Sequence, residues 1–381
     1  MEEVQRKELI YAPCLPIGRR GRVNQVLIKM IREAIIKLAE KKDLTHAEMS
    51  FAFEEIMGGL AEPVQISAFI TALRLKGETV DEITDAAKVM RKFATKIDVR
   101  KSVGIDRDEI NLEEETIVDT CGTGGSGTNT FNISTTVAFV VAGCGIKVAK
   151  HGNRSASSQC GSADVLEELG VNLSLTPEQV RDCVKAIDIG FLYAPLFHGA
   201  MKYAAPIRKA IGIRTIFNIL GPLANPAGAT CQVLGVYDKN LTRTIAEVLN
   251  NLGTKRAFVV CGYDTLDEIS ITGPTLVSEL KNKKVKTYTI TPRKYGFKKA
   301  RLEDIAGGNA KENAGIILSV LEGKKGPRRD VVLLNAAFAI YAASAAGDIK
   351  DAIQKASYAI DSGAALKKLN QLKEFSNGHN K

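Results

Sequence analysis

A chain of 381 residues, 45% hydrophobic and 25% charged, has the length for two domains and the make-up of a globular protein. No apolar run approaches the roughly 20 residues that span a bilayer, and the first stretch lacks an apolar signal core, so no membrane role and a cytoplasmic location are expected. The formal net charge of +9 suggests an anionic partner, phosphate ester or nucleic acid, without choosing between them.

Residues 1–22, interrupted by Pro13, Pro16 and Gly18, read as an N-terminal arm. From Val23 apolar residues recur at helical steps, with Ile28, Ile31, Ile35 and Leu38 on one face. Thr45-His-Ala-Glu48 is a capping box that opens a helix through Met57. Pro63 begins another helix, with Ile66, Phe69, Ile70 and Leu73 inward, and Thr79-Val-Asp-Glu82 caps a fourth that runs to about Phe93. Residues 23–97 are therefore expected to form a small all-helical domain. The polar, irregular stretch 98–115 suits a crossover between domains.

From residue 116 the rhythm becomes strand, glycine loop, helix, strand, which predicts a larger α/β domain over 116–381 with a mainly parallel central sheet. Strands are expected at 116–119, 146–149, 171–175, 189–193, 232–237, 256–261 and 286–290. Helices are expected at 137–142, 163–169, from Pro177, and at 206–211, 242–252, 309–322, 329–346 and 350–362. The segment 218–226 reads as a turn, and the charged stretches 281–301 and 324–329 as solvated faces. The seven cysteines, Cys14, Cys121, Cys144, Cys160, Cys183, Cys231 and Cys261, are scattered with no C-x-x-C pair. They read as small buried hydrophobes, not as disulfides or zinc ligands.

The stretch Asp119–Ser162 is the chemical centre. Its first loop, Gly122-Thr-Gly-Gly-Ser-Gly127, follows a strand and leads into a helix, and its second, Lys150–Ser158, follows the next strand. Glycine loops expose backbone N–H groups, a helix N-terminus adds positive dipole, and Lys150 and Arg154 add full charges, which is the chemistry of a polyphosphate cradle. Gly122, Gly124 and Gly127 match the G-x-G-x-x-G dinucleotide pattern, but the acid due about 20 residues later is absent. A P-loop needs Lys-Ser/Thr where Thr128-Asn129 stands. A purely structural turn remains open. The adjacent acids Asp267 and Glu268 could hold Mg²⁺ or simply be a solvated loop. By themselves His151 and His198 read equally as ordinary loop residues, and Arg208 as a surface charge.

The ordered set GTGGSGTNTFNIST, VAKHGNRSASSQCGSADVLEELG, FHGAMKYAAPIRKAIGIRTIFNILGPLANP and LDEIS closely resembles the anthranilate phosphoribosyltransferases of tryptophan biosynthesis, from about Val23 to Leu372. The resemblance implies a fold of nucleoside phosphorylase/phosphoribosyltransferase type, with a helical domain that also recruits about 194–213 and an active site between the domains. It implies a homodimer built through the helical part. The implied reaction joins anthranilate to phosphoribosyl pyrophosphate, releasing pyrophosphate, with Mg²⁺ required.

Carried onto matching positions, the resemblance implies that Gly122, Gly125, Ser126 and Thr130 line the phosphoribosyl donor, with Asn132, Ile133, Ser134 and Thr135 beside it. Lys150, His151, Gly152, Asn153, Arg154, Ser155, Ala156, Ser157, Ser158 and Ser162 would close over it. Gly122, Asn153 and Arg208 would hold anthranilate, and Ser134, Asp267 and Glu268 the metal. Lys150 and Asn153 are the candidates for the chemistry. Two positions depart from the family pattern. Ser126 stands where an aspartate is usual, which bears on the number of metals, and Gly199 stands where proline commonly follows the histidine. A pyrimidine nucleoside phosphorylase would end its glycine loop in lysine. A non-catalytic nucleic-acid-binding relative would be expected to lack Arg208, the His-Gly-Asn segment or the acid pair, all of which are present.

Overall fold

The computed structural model describes residues 30–99, 115–155 and 159–378. The arm 1–22, most of the crossover and Ala156, Ser157 and Ser158 lie outside the described residues. The chain divides into two compact units: residues up to Glu78 with Ala200–Thr215, and Thr79–Gly199 with Ile216 onward.

The smaller unit is helical, with helices 30–39, His46–Met57 and Pro63–Lys76. Its second helix starts where the capping box requires: Thr45 Oγ1 accepts from the Glu48 N–H, and Glu48 Oε2 accepts from the Thr45 N–H at 2.8 Å. Ile31, Phe53, Ile56, Phe69 and Leu73 are fully or almost fully buried, and the Phe53 and Phe69 rings meet edge-on at 6.3 Å. The short helix Ala205–Ile211, which carries Arg208, packs on Pro63–Lys76.

The larger unit is built on one seven-stranded sheet: β1 Ile117–Gly122, β2 Lys147–Gly152, β3 Ile189–Tyr193, β4 Cys231–Gly235, β5 Arg256–Gly262, β6 Thr275–Lys281 and β7 Lys284–Ile290. The order is β3-β2-β1-β4-β5-β6-β7, parallel as far as β5 and antiparallel beyond it. Alternation along the strands feeds two cores: Val118, Val148, Val233 and Phe258 join one, Ile117, Ala149 and Leu192 the other. The apolar helix Ile133–Gly143 is buried almost all round, between β1, β2 and the helices Pro327–Ala342 and Ala364–Gly378. Helix Val80–Phe93, capped by Thr79 and Glu82, packs on helices Leu241–Asn251 and Phe217–Leu223.

The mainly parallel α/β architecture with a helical unit is as expected from the sequence, with four local differences. Residues 171–175 are not a strand. Val171, Leu173 and Leu175 point into the cores, but the Asn172 N–H bonds the Ser376 hydroxyl at 3.0 Å in place of a strand neighbour. Phe217–Leu223 is a helix carrying Pro222 inside it, where a turn was expected. Strand β6 and helix Ala364–Gly378 were not anticipated, and β6–β7 is a hairpin turned at Asn282 and Lys283. Finally, β2 runs through Gly152, so Lys150 and His151 stand on a strand and not on a loop.

Candidate active site

The strand order reverses at β1 and β4. From β1 the chain moves to β2 and β3 on one side, and β4 opens the other side. In open parallel sheets such a switch point leaves a crevice at the carboxyl ends of the strands. Gly122 closes β1 and is in register with Gly235, which closes β4. The loop that follows β5 carries Asp267 and Glu268 against both. A Cβ on Gly122 would come 2.5 Å from Asp267 Oδ2, and one on Gly235 would overlap the Asp267 carbonyl oxygen. Only glycine at both strand ends lets this loop approach so closely.

Both acids are tied to the donor-loop region by backbone bonds. The Gly124 N–H donates to Asp267 Oδ2 at 2.9 Å, and the Ser134 N–H donates to Glu268 Oε1 at 3.1 Å. Burial raises the affinity of both carboxyls for a proton. For Asp267 the Ser126 hydroxyl and backbone N–H groups oppose this; for Glu268 the charge of Asp267 adds to it and Lys150 opposes.

Ser134, near the start of helix Ile133–Gly143, joins the acids to the lysine. Besides its bond to Glu268, its hydroxyl accepts from Lys150 Nζ at 3.2 Å and its carbonyl accepts from Thr120 Oγ1 at 3.0 Å. Lys150 is only 4% exposed and donates to the Thr120 carbonyl at 2.5 Å. Burial lowers its proton affinity, which the negative charges of Asp119 and Glu268 counter. Asp119, fully buried on β1, accepts from Asn225 Nδ2 at 2.8 Å and from the His151 N–H at 3.3 Å. Asp119 and Asn225 lie 106 residues apart and neither stands out in the sequence; Asn225 Nδ2 also donates to the Ala149 carbonyl of β2 at 2.8 Å, so it bridges β1 and β2 only in the folded chain.

Several other predicted residues are arranged differently. The Asn132 amide donates to the Cys160 carbonyl and accepts from Asn313. The Arg154 guanidinium is paired with Asp164 at 3.0 Å and Glu167 at 2.8 Å. Asn153 caps its own turn, accepting from the Arg154 N–H at 2.8 Å, while its carbonyl accepts from the Ser162 hydroxyl. Thr130 bridges to Ala306, and the Ser126 and Thr128 hydroxyls are hydrogen-bonded at 2.9 Å. Gly125 has positive φ, and Gly152 leaves room for the Ser162 hydroxyl. Ile133 and Thr135 lie buried in the first turn of their helix. His151 and His198 are buried, their rings 5.0 Å apart, and burial pulls them down to about 3 and about 4, so both are neutral at pH 7. The His151 Nδ1–H is then the donor to the Gly221 carbonyl at 3.2 Å. Arg208 belongs to the helical unit, where it is half-buried.

A divalent cation fits the acid pair. Burial and the closeness of Asp267 and Glu268 make it costly for both to carry charge, a cost that a bound cation removes. Among the described residues no group of three or more His, Cys, Asp or Glu stands ready for a metal. Two carboxylates with phosphate oxygens and water completing the shell is the usual manner of Mg²⁺ and not of zinc. No described helix is long and apolar enough to cross a membrane.

The chain as a whole is similar to known proteins. Residues 114–366 match the model of the glycosyl transferase family a/b domain, and residues 32–94 that of the family's helical bundle domain. An anthranilate phosphoribosyltransferase of Geobacter sulfurreducens is 59% identical over 349 residues, covering 91% of this chain and all of that protein. The crystal structure of the Thermus thermophilus anthranilate phosphoribosyltransferase superposes with a TM-score of 0.83 at 38% identity, covering 90% of this chain and 99% of that one. The Saccharomyces cerevisiae anthranilate phosphoribosyltransferase, in complex with PRPP and Mg, gives 0.82 at 30% identity, over 92% and 98%. Matched along nearly its whole length in sequence and in fold, the chain belongs to the anthranilate phosphoribosyltransferase family.

Proposed function

We propose that this protein uses the switch-point cluster to transfer the phosphoribosyl group of phosphoribosyl pyrophosphate to the amino group of anthranilate, giving N-(5-phosphoribosyl)anthranilate and pyrophosphate in tryptophan biosynthesis. The observation that carries the assignment is that Ser134 joins Glu268 to the buried Lys150, while the neighbouring Asp267 accepts from Gly124 of the glycine loop. In this reading the glycine loop Gly122–Gly127 and the start of helix Ile133–Gly143 offer N–H groups to the phosphates. Asp267, Glu268 and Ser134 would hold Mg²⁺, which would offer positive charge to the pyrophosphate.

Positive charge builds on the ribose as the bond to pyrophosphate breaks, so stabilising the leaving group and positioning the amine do most of the work. Lys150 places a cation that Asp119 and the Thr120 carbonyl hold in orientation. Arg208 offers the anthranilate carboxylate a planar fork, and Asn153 an amide. Anthranilate's aryl amine is neutral at pH 7, so attack needs no strong general base, and the neutral His151 and His198 need not supply one. The helical unit leaves Ile36, Val64 and Leu75 exposed by 59%, 73% and 76%, and a second copy of the chain is proposed to cover them.

Anthranilate is fluorescent, so its consumption is read directly. Loss of signal that needs both phosphoribosyl pyrophosphate and Mg²⁺ is expected; a flat trace from folded protein would defeat the assignment.

A further inference from the structure

We infer that Asn335, on helix Pro327–Ala342, is the positioning residue that presents the Asp267–Glu268 pair to the metal; the inference rests on the metal role proposed for those acids. Asn335 is 1% exposed in the middle of the apolar stretch 331–340 of this helix. Its Oδ1 accepts from the Ile269 N–H at 2.9 Å, and its Nδ2 donates to the Ile269 and Val331 carbonyls, each at 2.9 Å. One side chain thus satisfies both backbone groups of the residue that follows Glu268, as a neighbouring strand would. Asparagine is a poor helix former and costly to bury, so packing alone would favour leucine here.

The other arm of the loop is gathered by Asp264. Its Oδ1 accepts from the Leu266 N–H at 3.3 Å and its Oδ2 from the Ser270 hydroxyl at 2.7 Å and from Thr272. The Ser270 N–H in turn donates to Thr275 Oγ1 at 2.9 Å, at the start of β6. The two acids therefore lie between a point fixed at Leu266 and a point fixed at Ile269. Such pinning of the backbone behind a ligand pair orients it and is felt as metal affinity.

The test compares Asn335→Leu with Phe338→Leu. Phe338 lies one turn further on and packs against Phe258 and Tyr295, so its truncation loosens the same helix while leaving the Ile269 bonds intact. Phosphoribosyl pyrophosphate is titrated calorimetrically into each folded protein at stepped Mg²⁺, and thermal melts are recorded alongside. Asn335→Leu is expected to raise at least tenfold the Mg²⁺ concentration at which donor affinity is half developed, with Phe338→Leu within twofold of the parent at a similar loss of melting temperature. Equal shifts in the two variants, or none in Asn335→Leu, would overturn the inference. Should Asn335→Leu not fold, Ser270→Ala is expected to raise the same half-point about threefold, and an unchanged value overturns the proposal. A parent protein whose donor binding ignores Mg²⁺ defeats the metal reading itself, and is recognised without any variant.

Discussion

Gly235, the last residue of β4, lies flush against the backbone of Asp267, so close that a Cβ would overlap the Asp267 carbonyl oxygen. The strand is central and cannot move, so a methyl group here must push the acid loop away from the glycine loop. Gly235→Ala is expected to lower kcat/KM at least ~100-fold, as displacements of about 1 Å do, with a stability loss of roughly 1–3 kcal/mol. Steady-state kinetics and a thermal melt check it; an active variant would show that the loop does not need this seat.

Lys150→Met removes the buried cation but keeps most of the side chain's length. Expected is a fall in kcat/KM of ~100-fold or more, together with destabilisation, because Asp119 is left as an uncompensated buried charge. Adding Asp119→Asn to this variant should recover stability without recovering turnover. A single variant within about twofold of the parent would remove Lys150 from the proposed chemistry.

Glu55 in the helical unit is 1% exposed, and burial, only partly opposed by a hydrogen bond with the Ile31 backbone, pushes its carboxyl from 4.5 up to about 7. Between these values the folded protein holds a proton that the unfolded chain has lost, so stability should fall as pH rises through that window and level off above it. Glu55→Gln should flatten this slope and gain roughly 2 kcal/mol over the parent near pH 8, with little gain near pH 4. Urea unfolding at the two pH values decides it; parallel pH profiles would contradict the burial penalty.

If a second copy covers Ile36, Val64 and Leu75, the parent should run in light scattering at twice its 41.1 kDa chain mass. Val64→Glu would place a charge in that interface and should yield the single-chain mass at micromolar concentration. A parent that is already single-chain would refute the pairing.

What the sequence made legible was local. The boxes at Thr45 and Thr79 and the proline-started helix at Pro177 depend on residues three apart, and they form as read. The hairpin β6–β7 escaped because its turn uses Asn282 and Lys283 at positive φ, where a glycine would have announced it. Val171, Leu173 and Leu175 alternate like a strand, yet no neighbour pairs with them, and alternation reports burial, not hydrogen bonding. In the site, Gly122, Lys150, Asp267 and Glu268 stand out in the sequence as a glycine loop, a loop cation and an acid pair, Ser134 follows from the resemblance alone, and the fold brings them together. Asp119, Asn225 and Asn335 do not stand out, because a lone Asp or Asn in an apolar segment carries no signal until its distant partner is known.

The two bonds that tie the acids to the glycine loop and to the helix after it span 143 residues from Gly124 to Asp267 and 134 from Ser134 to Glu268. Closing loops of that length comes late in folding. A growing chain therefore displays its glycine loop and Lys150 well before Asp267 and Glu268 can reach them. Donor affinity should appear abruptly, only once the segment through β5 and its following loop has docked. Phosphoribosyl pyrophosphate with Mg²⁺ would then act as a ligand of the finished protein alone, protecting it against unfolding while offering nothing to an incomplete chain.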